Sequence, residues 1–221
     1  MTDSGSEGVT RLTPLVLQGA AGRIEALLQE SDAHDHAITA VVCHPHPLYG
    51  GTMHNKVVHR VTSALFGMGV AVLRFNFRGA GASEGAHDHG NGERDDARVA
   101  LEFLRGRYPS ARRWIAGFSF GSWVASRLAA SETDTEQLLL IAPPVHTQTF
   151  EEMHTSGVSK LVVQGTADDI CRPENLARAF PLWAEPKRLI EVPGGTHFFD
   201  KQLSELSDAV LDGLRDASSN P

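Results

Sequence analysis

The sequence predicts an α/β protein: a mostly parallel central sheet of about eight strands, with helices on both faces. Three observations carry this. Several short runs, such as Ile38–Cys43, are apolar without a break, as expected of strands buried on both faces. Amphipathic segments with helical spacing lie between these runs. Turn residues, mostly Gly and Pro, punctuate each change. The 221 residues suit one domain, assigned to residues 9–215, with tails expected at 1–8 and 216–221.

In chain order, residues 12–17 and 23–29 read as two strands joined by the turn Gly19-Ala20-Ala21-Gly22, an opening hairpin. Residues 31–36 form a polar loop, and 38–43 the first buried strand. A helix over 54–66 ends at Gly67 and Gly69. Residues 70–75 give the next buried strand, followed by a Gly-rich loop over 78–92. The helix over 93–105 repeats Ala97, Ala100, Leu101 and Leu104 on one face. A strand at 114–118 leads into a helix from Ser119 to about Ala130. Strands follow at 137–142, 160–164 and 188–192. Helices are expected at 173–183 and 203–214. No internal repeat or composition break marks a second domain.

Composition narrows the function. The formal net charge is −7, unlike the basic footprint of a nucleic-acid binder. No apolar run approaches the roughly 20 residues of a membrane helix. The polar N-terminus lacks the pattern of a signal peptide, so a cytoplasmic chain is expected. Cys43 and Cys171 then read as free thiols. The pairs His34/His36, His44/His46 and His87/His89 have the spacing His-x-His, which raises a metal site. Without a Cys cluster or a His-Glu-x-x-His motif beside them, neither metal nor cofactor is expected.

The chemistry concentrates at Gly117-Phe118-Ser119-Phe120-Gly121, a Gly-x-Ser-x-Gly motif. It follows an apolar strand and opens a helix, the context in which a serine is lifted clear of a sheet edge. A serine hydroxyl needs a base, and the base needs an acid to orient it. Both follow in order. Gly165-Thr166-Ala167-Asp168 ends one strand, with Asp169 as an adjacent competitor. Gly195-Thr196-His197 ends a later one, and His197 is the last histidine. All three groups leave the carboxyl ends of parallel strands, where open α/β sheets build their sites. The residues predicted to be catalytic are Ser119, Asp168 and His197.

Residues 12–214 together resemble an α/β-hydrolase. The motifs that carry the resemblance are Val41-Val42-Cys43-His44-Pro45-His46-Pro47 through Asn55, Arg74 through Gly85, the Ser119 elbow, the Asp168 loop and the His197 loop. They are most similar to small bacterial serine hydrolases that lack a lid and are distantly related to dienelactone hydrolases. Those last enzymes use a cysteine where this chain has Ser119, so their activity is not carried over. The resemblance implies an oxyanion hole of two backbone amides. One is Phe120. The other comes from the loop after residues 38–43, where Pro45 and Pro47 have no N–H. His46 and Leu48 remain, and the family position favours His46. His44 is expected to hold the loop.

The interval 145–159 is too short for a cap domain, so the site should be open. Leu48, Trp123, Met153 and Phe198 are candidate substrate contacts. The expected function is carboxylesterase-like cleavage of a small or short-acyl ester through an acyl-serine. A thioesterase, a peptidase or a non-catalytic binding protein on the same fold is the alternative. The expected partner is a small-molecule ester, with no nucleic acid or membrane.

Overall fold

The computed structural model of the chain describes residues 9–32 and 36–218. The tail expected at 1–8 lies outside these residues, as does His34 of the first His-x-His pair.

Eight strands form one sheet in the order β1-β2-β4-β3-β5-β6-β7-β8. β1 (Thr10–Gly19) and β2 (Gly22–Ser31) make the opening hairpin, and β2 pairs antiparallel with β4 (Ala71–Phe75). From β4 onward every pairing is parallel: β3 (Ile38–Cys43), β5 (Arg112–Phe118), β6 (Thr135–Ile141), β7 (Ser159–Gly165) and β8 (Lys187–Val192). β1 is an edge strand and tolerates Pro14, whose missing N–H would break an interior ladder.

Alternation along each strand divides the core. Val41 of β3 and Leu73 of β4 face α2 (Asn91–Arg107) and α3 (Phe120–Ser131). Ala40, Val42 and Val72 face α1 (Lys56–Gly67) and α5 (Leu203–Ser218). All six β3 and all five β4 residues are buried, which explains their largely apolar sequence, broken only by Thr39 and Arg74. α5 continues through residues 216–218, past the domain end expected at 215.

One expected helix is shorter. The segment 173–183 divides into α4 (Pro173–Ala179) and a 3-10 turn at Phe180–Leu182. Pro181 has no N–H to continue the α ladder and crowds the preceding turn.

The topology sets the site. The chain steps from β3 outward to β4, then returns to the other side of β3 as β5. This reversal places the loops after β3 and β5 side by side, with Cys43 paired to Gly117. The loops after β7 and β8 leave the same edge. Between β6 and β7 lies only a 3-10 turn, Glu151–His154, so no cap domain covers that edge.

Candidate active site

Ser119 sits between β5 and α3 at φ 52° and ψ −122°. A non-glycine residue there costs on the order of 1–3 kcal/mol and must be held by its surroundings. The Ser119 amide donates to the Ile141 carbonyl at 2.9 Å, and the Ser122 amide and hydroxyl donate to the Ser119 carbonyl at 2.8 and 2.6 Å. The flanking glycines have steric causes. A Cβ on Gly117 would lie 2.1 Å from the Gly121 carbonyl oxygen. A Cβ on Gly121 would lie 2.4 Å from the carbonyl oxygens of Cys43 and His44. The motif thus fits the turn and seats α3 against the loop after β3.

The Asp168 and His197 loops are packed together in the same way. A Cβ on Gly165 would lie 2.2 Å from the Gly195 carbonyl oxygen. The Ala167 amide donates to that oxygen at 2.9 Å. Asp168 Oδ1 accepts from the amides of Ile170 (2.9 Å) and Cys171 (2.7 Å), and Oδ2 from Gln164 Nε2 (3.2 Å). His197 Nδ1 lies 2.8 Å from Asp168 Oδ2, and Nε2 lies 3.1 Å from Ser119 Oγ. A carboxylate facing Nδ1 places the ring proton there, leaving the Nε2 lone pair toward the serine hydroxyl. Asp168 is 3% and His197 4% exposed, and the rings of Phe118 and Phe198 lie 5.0 Å from the imidazole. Asp169 is exposed and outside this chain of bonds.

The loop after β3 splits its two histidines by role. His44 is fully buried. Its Nδ1 donates to the Pro45 carbonyl at 2.6 Å and its Nε2 accepts from the Phe77 amide at 2.9 Å, tying this loop to the one after β4. Burial pushes its pKa down to about 4, so it is a neutral clamp. The His46 ring lies 4.6 Å from Phe120 and 4.7 Å from His87. Burial lowers its pKa first, and His87 lowers it further. His46 Nδ1 accepts from the Leu48 amide at 3.3 Å. That occupies one of the two oxyanion candidates. The amides of His46 and Phe120 have no protein acceptor among the described residues.

Of the expected substrate contacts, Leu48 (68%) and Phe198 (38%) are exposed on the loops that carry the oxyanion candidate and His197. Trp123 is half-buried, its ring 5.7 Å from Phe120 and its Nε1 donating to the Thr149 carbonyl at 2.9 Å. Met153 must be corrected. It is fully buried in the core cluster with Phe150 and Trp183, because the turn that carries it points its long side chain inward. Tyr49 (87%), beside Leu48, and Ile170 (49%), on the Asp168 loop, add exposed apolar surface. Their closeness in sequence to His46 and Asp168 was the available signal.

Cys171 also lies at the site and is buried. Burial, then the Asp168 carboxylate, pushes its thiol up to about 12, so it is a neutral thiol at neutral pH. No His-x-His pair belongs to a group of three metal-ligating atoms among the described residues. Asp168, Cys171 and His197 do form such a group. No helix is long and apolar enough to cross a membrane among the described residues.

Comparison with known proteins places this geometry in context. Residues 37–156 match the family described as serine aminopeptidase, S33. An uncharacterized protein of Rickettsia prowazekii is 35% identical over 93% of this chain and 90% of its own length. A Xanthomonas campestris structure, described as an a/b serine hydrolase without lid, superposes with a TM-score of 0.89 at 36% identity. It covers 96% of this chain and 98% of its own. An alpha-beta serine hydrolase homologue from Coxiella burnetii gives a TM-score of 0.87 at 33% identity, with 91% and 97% covered.

Proposed function

The chain belongs to the serine aminopeptidase S33 family of the α/β-hydrolase superfamily and is a hydrolase, and we propose that it is a carboxylesterase-like serine hydrolase acting on small or short-acyl esters. The observation that carries this reading is the unbroken hydrogen-bonded chain from Asp168 through His197 to Ser119 Oγ, with links of 2.8 and 3.1 Å.

The mechanism follows from these positions. His197 Nε2 takes the Ser119 proton as Oγ attacks the ester carbonyl carbon. Asp168 holds the ring by Nδ1–H and stabilises the imidazolium that forms. The tetrahedral oxyanion is received by the Phe120 and His46 amides. Both lack a protein acceptor, whereas the Leu48 amide is already bonded to His46 Nδ1. His197 returns its proton to the departing alkoxide. Water, deprotonated by His197, then attacks the acyl-serine and restores Ser119.

The open edge supports a small substrate, and Leu48, Tyr49, Ile170 and Phe198 offer its apolar part a shallow surface rather than a tunnel. No cofactor enters the reaction as proposed. The family name includes a peptidase, so amide and thioester cleavage form the second reading. Ser119→Ala should lower turnover by roughly 10⁴-fold or more while leaving the fold intact. The test is hydrolysis of p-nitrophenyl esters of increasing acyl length, beside matched thioesters and amides, for both proteins. Rates that peak at long chains overturn the short-acyl assignment. Faster amide than ester cleavage favours the peptidase, and undiminished activity in the variant removes Ser119 from the mechanism.

A further inference from the structure

Cys171 lies beside Ser119, in hydrogen-bond contact with its side chain, yet takes no part in the acyl-transfer steps above. It follows Asp168 by three residues on the same loop and is 3% exposed. One ligating atom each from Asp168, Cys171 and His197 lies within 4.8 Å of the other two, and all three residues are buried. A sulfur, an imidazole nitrogen and a carboxylate oxygen are donors that tetrahedral zinc accepts, with one position left for water. We propose that Cys171, His197 and Asp168 form a binding site for a thiophilic divalent cation of the zinc type, and that its occupancy reversibly switches the hydrolase off.

The spacing fits with a small adjustment. Zinc–sulfur bonds of about 2.3 Å and zinc–nitrogen bonds of about 2.0 Å place two such ligands roughly 3.5 Å apart at a tetrahedral angle. The three ligating atoms lie within 4.8 Å of one another, so small side-chain rotations bring them to this spacing, with the cation replacing the direct contact between Asp168 and His197 where it binds Nδ1. The Asp168 loop is held in place by the Ile170 and Cys171 amides on Oδ1. Binding therefore need not order a loop first.

Inhibition follows whichever ring nitrogen is used. A cation on Nε2 takes the lone pair that would accept the Ser119 proton. A cation on Nδ1 leaves the ring proton on Nε2, so the base is lost again. Forming the sulfur–metal bond releases the thiol proton to solvent, while His197 donates a neutral lone pair.

The inhibitory half rests on the triad reading; the binding half does not. The test therefore has two readouts on chelator-treated full-length protein. Cobalt(II) is titrated while thiolate-to-cobalt charge-transfer absorption is recorded, which needs no turnover. Separately, labelling of Ser119 by a fluorophosphonate probe is timed with and without zinc. Wild type should show the absorption at one cobalt per chain, and zinc should displace it. Zinc should slow labelling by at least roughly ten-fold, with recovery on EDTA. Cys171→Ala should lose the absorption, and the same zinc should slow its labelling by less than about two-fold. Cys171→Ser serves if the alanine variant fails to fold. No charge-transfer band in wild type, or equal zinc sensitivity in the variant, overturns the proposal. A Cys171-dependent band in a protein that never labels upholds the metal site and overturns the hydrolase reading.

Discussion

Asp168 accepts four hydrogen bonds on two oxygens: Ile170 and Cys171 amides on Oδ1, Gln164 Nε2 and His197 Nδ1 on Oδ2. An amide cannot replace it, because its NH2 would face a donor on one side or the other. Asp168→Asn is therefore expected to lower kcat by roughly 10³–10⁴-fold. Asp169→Asn, at the exposed neighbour, should stay within about three-fold. Steady-state ester hydrolysis on both variants separates the two carboxylates, and a larger loss in Asp169→Asn would reverse the assignment. The meeting of Ser119, Asp168 and His197 at one sheet edge was legible because residue type, order and strand context all point to it. Other residues were not. His46 and Leu48 stayed open in the sequence, since the bond between the Leu48 amide and His46 Nδ1 depends on how one turn folds. Met153 looked like a site residue because its position between two strands says nothing of the direction its side chain takes. Cys171 looked like an ordinary thiol until the loop brought it beside His197.

Elements meet at this site through glycines, and the cost of filling each one is readable from its neighbours. Gly121→Ala would drive a Cβ to 2.4 Å from two rigid carbonyl oxygens of the loop after β3. Overpacking against backbone of this kind should cost about 3 kcal/mol or more, and it should also slow Ser119 labelling by moving α3. Gly106→Ala, inside α2 with nothing within 4 Å, should instead gain about 0.5–1 kcal/mol from helix propensity. Urea midpoints for the two variants should move in opposite directions, and a neutral Gly121→Ala would mean that α3 does not need its close seat. The element pattern was legible to within a few residues where strands are buried on both faces, as in β3, because five of its six residues are apolar. It was less legible at β1, most of whose ten residues are exposed or half-buried, and at the polar C-terminal end of β2, neither of which carries a hydrophobic signal. It failed at Pro181, where helix periodicity continued but the hydrogen bonding could not.

For the whole molecule, acid stability should fall in two stages with separate origins. The first belongs to His44, which clamps the loops after β3 and β4 together. In the unfolded chain this imidazole takes up a proton near its usual value of 6.5; in the folded protein burial holds it off until about pH 4. Between those values the unfolded state binds more protons, so stability falls as pH drops through this window and is flat above it. The loss by pH 4 is on the order of 3 kcal/mol, a large share of the net stability of a domain. The second stage lies below the usual carboxylate range. Burial raises the Glu30 carboxyl, but hydrogen bonds from Tyr108 and Arg107 outweigh it, and Arg105 holds Asp134 down. Both stay charged in the fold after their unfolded counterparts have protonated, so their contribution goes last. Urea unfolding of wild type and His44→Gln at pH 7.5, 5 and 4 distinguishes the stages. The glutamine can still accept from the Phe77 amide but does not titrate. Its stability should therefore fall less steeply than that of wild type between pH 6.5 and 4, the remaining slope coming from His46 and His59, whose pKa values burial also lowers, and both proteins should weaken together below 4. A variant that loses stability as steeply as wild type between pH 6.5 and 4 would place the first stage on another group and leave His44 a clamp without a titration role.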